Sequence, residues 1–122
     1  MTQRCTVSSG SEYEATVGYS RAVRTGPYIA VAGTTGGGDG VAAQTREALR
    51  RIEIALQQAG ASLSDVVRTR IFVTDISLWQ EVGAVHAEVF GEIRPVATMV
   101  EVSALIAPDL LVEIEVDAYV DA

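Results

Sequence analysis

The chain has 122 residues, enough for one domain, 1–122, with a genuine core but not for two. It carries a formal charge of −7, and its nine basic residues are scattered arginines with no lysine among them. This argues against a nucleic-acid partner, because phosphate binding needs clustered cations. No apolar run approaches the ~20 residues that span a bilayer. The first residues lack the apolar core of a signal peptide. A cytoplasmic protein without membrane contact is expected. The single Cys5 cannot form an internal disulfide and reads as a packed or partly exposed thiol rather than a nucleophile. The hydrophobic share, 48%, is high for a small acidic chain, so part of it is expected in subunit contacts.

In chain order, Ser8-Ser9-Gly10-Ser11 reads as a turn, and a short strand before Gly18 is left open. Arg21 to Thr25 and Tyr28 to Thr34 read as strands joined by Gly26-Pro27 in a hairpin. Gly36-Gly37-Gly38-Asp39-Gly40 is expected to be a flexible loop. Its spacing matches neither a P-loop nor a dinucleotide fingerprint. A helix follows from Val41 to Ala59, with Asp39 as N-cap and Gly60 as stop. Thr45, Ala48, Leu49, Ile52, Ala55, Leu56 and Ala59 make its buried stripe. Ser62 to Asp65 forms a capped turn. Val66 to Thr74 is a strand with Val67, Thr69, Ile71 and Val73 on one face and Arg68, Arg70 and Phe72 on the other. The second helix starts near Ser77, where Ser77 and Gln80 have capping-box spacing, and ends at Gly91. Leu78, Val82, Val85, Val89 and Phe90 are its buried stripe, flanked by Trp79 and His86.

Two adjacent strands close the chain, Pro95 to Val102 and Leu111 onward. Ala97, Met99 and Glu101 share a face of the first. The face carrying Val96, Val100 and Ile114 is expected under the helices. In the last strand Val112, Ile114, Val116, Ala118 and Val120 alternate with Glu113, Glu115, Asp117 and Tyr119. A row of carboxylates marks either a solvated face or the lining of a cleft or subunit interface. The order β-β-α-β-α-β-β, with two helices on one face of a mixed sheet, gives an α+β two-layer sandwich.

Several motifs together resemble one family. Gly18-Tyr19-Ser20-Arg21-Ala22-Val23 is similar to a Gly-Pro-Tyr-Ser-Gln-Ala-Val motif. Ala30-Val31-Ala32-Gly33-Thr34 resembles a strand ending in Ser-Gly-Gln. Pro95 to Val102, then Val112-Glu113-Ile114-Glu115, resemble a closing signature of Pro, an Arg-bearing strand and a Val/Ile-Glu-Ile-Glu strand. These are the marks of the RidA/YjgF family of enamine/imine deaminases, also labelled L-PSP endoribonucleases. The resemblance implies a chorismate-mutase-like fold and a homotrimer with three clefts between subunits. It also implies that Glu113 positions the attacking water, that groups at Gly33 and Thr34 hold substrate, and that Tyr19 lines the cleft.

The departures are as specific as the matches. Where the deaminases have an Arg that grips the substrate carboxylate, this chain has Ala97, followed by Thr98 and Met99 at small polar or Cys positions. Gly83 and His86 replace an Asn and a Tyr. The chain thus resembles an Arg-lacking branch, with Arg94 on the preceding loop as a candidate replacement. The endoribonuclease label is discounted on charge. No cofactor is expected, and one His without a Cys/His cluster speaks against a metal site. Two functions remain open: a small-molecule hydrolase acting on an enamine, imine or related metabolite, with weak 2-imino acid deaminase activity, or a non-catalytic trimeric ligand-binding module. Each site residue also has a plainer reading: Glu113 as a hydrogen-bonding interior group, Tyr19 as packing, His86 as a surface or interface residue.

Overall fold

The structure, a computed structural model, describes residues 3–121. Residues 1, 2 and 122, the ends of the domain expected over 1–122, lie outside the described residues. β1, Arg4–Val7, is the short strand that the sequence left open. α1, Glu12–Val17, is a helix that the sequence reading lacks. Ser11 caps its start by accepting from the Tyr13 amide, and Gly18 closes it at φ 92°. At six residues it is too short to show a helical period, although Ser11 and Glu14 have capping-box spacing.

β2, Ala22–Thr25, and β3, Tyr28–Thr34, form the expected hairpin, with Gly26 at φ 59° in the turn and Thr25 opposite Tyr28. α2, Val41–Gln58, buries the whole expected stripe, and Gly60 follows its end at φ 83°. Its N-cap is Gly40, without a side-chain bond, so Asp39 stands one residue too early to cap it. The glycine run is laid closely against this helix. A Cβ on Gly36 would stand 2.6 Å from Glu47 Cβ, and Gln44 Nε2 donates to Gly38 O at 3.2 Å. The Ser62–Asp65 turn has the expected capping box.

β4, Val66–Val73, departs from simple alternation. A bulge between Val66 and Arg68 puts Val66 in the core and leaves Val67 51% exposed, while Thr69, Ile71 and Val73 stay buried. A 3₁₀ turn, Ile76–Leu78, leads into α3, Trp79–Phe90. Asp75, not Ser77, caps this entry. Its Oδ1 accepts from Ser77 N at 3.0 Å and from Ser77 Oγ at 2.6 Å, so the serine hydroxyl is spent on the aspartate.

β5, Val96–Glu101, and β6, Val112–Tyr119, complete a six-stranded mixed sheet in the order β1-β2-β3-β6-β4-β5. Only the β4–β5 pair is parallel among the assigned pairings. β5 and β6 are therefore not neighbours, as the sequence reading had them. The helical crossover through α3 lays β5 parallel to β4 at the sheet edge, and the returning chain enters between β3 and β4. The core lies between α2, α3 and the face carrying Ile29, Val31, Ile71, Val112, Ile114 and Val116. Val96 and Val100 pair with Arg68 and Phe72, so they belong to the opposite face and are 60% and 41% exposed. The expectation that helices cover them does not hold.

Candidate functional site

A second register shift shapes the site. Val31 pairs with Val116 but Thr34 pairs with Ile114, so β3 carries one residue more than β6 over this stretch. The bulge turns Gly33 toward the carboxylate face of β6. Glu113 lies directly over it. A Cβ at Gly33 would stand 2.9 Å from Glu113 Cδ and would collide with Oε2, so only glycine admits the carboxylate here.

Beside this pair is a cavity of about 850 Å³. Glu113, Gly33 and Thr34 meet Tyr19 and Arg21 in its wall. Residues of the 8–11 turn, α1, α2 and the 105–111 loop supply the rest. Two buried polar side chains hold the irregular segments of this wall. Glu14 accepts from Ser9 N at 3.0 Å and from Ser9 Oγ at 2.6 Å, which fixes the turn. Gln44, 4% exposed, donates to Asp109 O at 2.9 Å and accepts from Leu111 N at 2.8 Å, which fixes the C-terminal end of the loop.

The electrostatics set Glu113 apart from its strand neighbours. Glu115 and Asp117 share Arg70, and Asp117 also pairs with Arg68 at 3.7 Å and accepts from the Tyr28 hydroxyl at 3.1 Å. Glu113 accepts no hydrogen bond and forms no ion pair among the described residues. Burial pushes its carboxyl above the ordinary glutamate value, the Glu115 charge adds to this, and Arg21 opposes it. The row of carboxylates thus divides: two are compensated by arginines, and one faces the cavity alone.

Arg21 is the site residue that sequence reasoning missed. Its Nη1 donates to Gly33 O at 2.9 Å, Thr34 Oγ1 at 2.7 Å and Ala32 O at 3.4 Å, and the guanidinium stands 5.7 Å from the centre of the Tyr19 ring. It pins the bulged end of β3. The available signal was an arginine two residues after Tyr19, where the resembled motif has Gln. Thr34 spends its hydroxyl on Arg21 and on Ala32 O at 2.7 Å, so its side chain is a support.

Residues 9–120 match the Endoribonuclease L-PSP family. The chain belongs to this family, the RidA/YjgF group. Among RidA/YjgF relatives, a RutC family protein of Pyrococcus abyssi is 38% identical over 110 residues, 83% of this chain and 85% of that one. The 3-aminoacrylate deaminase RutC of Acinetobacter baylyi is 43% identical over 79 residues, 65% of this chain and 62% of that one. The crystal structure of Rv2704, a YjgF/YER057c/UK114 family member from Mycobacterium tuberculosis, superposes with a TM-score of 0.96 at 75% identity, over 97% of this chain and 100% of that one.

On this RidA/YjgF scaffold the site residues expected from sequence divide into two groups. Tyr19, Gly33, Thr34 and Glu113 meet at the cavity. Ala97, Thr98 and Met99 lie on β5, beyond β4 and roughly 10 Å from β6 at ordinary strand spacing. Ala97 and Met99 pair with Thr69 and Ile71 on the helix side of the sheet, whereas Glu113 pairs with Phe72 on the other. The two acidic faces expected to converge therefore do not do so within one chain. Arg94 is exposed, at φ 55°, and its Nε donates to Gly91 O at 3.0 Å, so it caps the end of α3 and stays away from Glu113. His86 packs on Phe90, with ring centres 4.8 Å apart, and its Nε2 bonds Thr69 Oγ1 at 2.9 Å. Burial holds its pKa below the ordinary histidine value.

Proposed function

We propose that the chain is a small-molecule hydrolase acting on an enamine or imine, in a cleft completed by neighbouring copies of a homotrimer. The carrying observation is Glu113: a half-buried carboxylate over Gly33, facing the cavity with no bond from the described residues. A carboxyl pushed up by burial is a better base once ionised and holds a proton nearer neutral pH, which suits it to move protons in both directions.

The reaction asks for little more. An enamine takes a proton at carbon and becomes an iminium ion. Water attacks the imine carbon while Glu113 accepts a proton from it. The resulting carbinolamine takes that proton on nitrogen, the C–N bond breaks with ammonia leaving, and the hydroxyl releases its proton as the carbonyl forms, which returns the proton taken up at carbon. One water is consumed, and one carbonyl and one ammonia are released. The reading uses no metal and no cofactor, and a cytoplasmic setting fits such a metabolite. The name of the Acinetobacter baylyi relative, a 3-aminoacrylate deaminase, supports the reaction class.

Ala97 limits the reading. A carboxylate lacking a buried guanidinium partner loses about 2–5 kcal/mol of binding, so turnover of 2-imino acids is expected to be weak. The same residue favours the second reading, a trimeric ligand-binding module without catalysis. Imines generated from alanine or leucine by an amino-acid oxidase separate the two. Slow ammonia release above buffer that disappears in Glu113→Gln supports hydrolysis. Release equal to buffer, with a small carboxylate still bound, leaves the binding module.

A further inference from the structure

Among the described residues three charged side chains line the cavity, Arg21, Arg51 and Glu113. Both arginines are committed to the protein. Arg51 is tied to Glu47 at 2.8 Å and to Thr35 O at 3.0 Å. Arg21 turns Nη1 onto Gly33 O, Thr34 Oγ1 and Ala32 O and leans on the Tyr19 ring. Glu113 has no such partner among the described residues, and the charges around it do not cancel. Glu115 outweighs Arg21, and together with burial it makes Glu113 hold a proton more tightly than an ordinary glutamate. The same balance draws any other cation to this carboxylate and disfavours an anion beside it.

The mouth has the opposite character. Tyr13, Val17, Ile54 and Ile106 all line the cavity and are 54%, 69%, 40% and 76% exposed. Large apolar side chains gathered in solvent around one acid mark a binding surface. Apolar walls with a few fixed polar groups are the usual make-up of a small-molecule site. The chain as a whole, at −7 and without lysine, adds a field that favours neutral and cationic ligands.

We propose that the cavity takes imines that carry an apolar group and no carboxylate, with the iminium nitrogen on Glu113 and the apolar group in the mouth. This deepens the hydrolase reading by naming its substrate class, and rests on that reading for the reaction. A carboxylate accepts at both oxygens, so one can take the iminium N–H and the other the attacking water. Water adds to the iminium carbon, Glu113 moves one of its protons to nitrogen, and the C–N bond breaks. The remaining hydroxyl proton goes to the departing ammonia. Iminium ion and water thus give a carbonyl and ammonium, with the charge unchanged. A 2-imino acid brings the same nitrogen with an anion on the adjacent atom, which Glu113 opposes. Oxidation of an apolar primary amine is the class of reaction that supplies an imine without that anion.

The test is calorimetric binding of 3-methylbutanamidine, a planar cation, and of 3-methylbutanoate, its anionic isostere, to the intact protein at mildly alkaline pH, with the Glu113 carboxyl carbon followed by NMR. The expected result is a preference for the amidine of about tenfold or more, lost in Glu113→Gln. Acetamidine, which lacks the apolar group, is expected to bind about tenfold more weakly than 3-methylbutanamidine, and Ile106→Ser to narrow that gap. If Glu113→Gln fails to fold, the wild-type resonance decides: a shift with the amidine but not with the carboxylate supports the proposal. Equal binding of the two isosteres, tighter binding of the carboxylate, no binding of either, a full preference in Glu113→Gln, acetamidine bound as tightly as its larger homologue, a gap kept in Ile106→Ser, or an unmoved resonance overturns it. Turnover is read separately, relative to buffer, on the imines made from 3-methylbutan-1-amine by an amine oxidase and from leucine by an amino-acid oxidase. Greater acceleration of the leucine-derived imine overturns the substrate class. The binding preference without clearance of either imine fails the hydrolase reading alone.

Discussion

At the scale of single residues, the site turns on a close approach between a glycine and a carboxylate. In Gly33→Ala the new methyl group must displace Glu113, because its Cβ would stand 2.9 Å from Glu113 Cδ. The expected outcome is a stability loss of about 1–3 kcal/mol with disturbed ligand binding, read by denaturant titration and calorimetry on one preparation. Glu113 also leaves a mark on the pH dependence of stability. Its folded pKa is raised, mainly by burial. The folded state therefore holds the proton more tightly than the unfolded chain does. That contribution is fully present below the ordinary glutamate value and is lost as pH rises through the raised folded value. Glu113→Gln is expected to flatten this part of the profile and to be no less stable than wild type at pH 7. An unchanged slope between mildly acidic and neutral pH counts against the assignment.

At the scale of elements, the cavity depends on segments without regular structure that buried polar side chains hold in place. Gln44 takes Asp109 O and Leu111 N of the 105–111 loop through both ends of its amide, beside the bond from Thr74 N to Leu111 O at 3.1 Å. In Gln44→Ala both loop groups lose their partner. A cost of about 1–3 kcal/mol is expected, together with faster hydrogen exchange at the Leu111 amide. A loss confined to global stability, with Leu111 protected as before relative to its neighbours, argues that the loop has another clamp. The edge strand β5 presents a different problem. Val96, Ala97, Thr98 and Val100 are all exposed on one chain, which is costly for a strand with an unpaired edge.

For the whole molecule, that exposed strand and the partly charged open sheet face point to assembly. Arg68, Arg70, Glu115 and Asp117 neutralise one another across this face, which prepares it for contact with a like surface. A homotrimer is the expected state in solution. Light scattering coupled to size exclusion should give roughly three chains per particle at micromolar concentration. A clean monomer sinks this expectation and, with it, the proposal of a cleft between subunits.

What the sequence determined by itself was local. The alternation in Val112–Tyr119, the α2 stripe from Thr45 to Ala59, the Gly26-Pro27 hairpin and the Ser62–Asp65 capping box were all legible. Each depends on residues within a few positions of one another, where period and turn chemistry leave few choices. The family was legible for a related reason, since its motifs are short runs whose order survives substitution. Tertiary structure alone decided the rest. Nothing in β5 or β6 encodes that β4 separates them, because strand pairing joins residues far apart in the chain. The bulges at Val67 and beside Gly33 shift faces by one residue, which an alternating pattern cannot announce. Arg21 read as one scattered cation among nine. Only the bulged end of β3, offering Gly33 O and Thr34 Oγ1 together, draws its guanidinium to the cavity and sets it opposite Glu113.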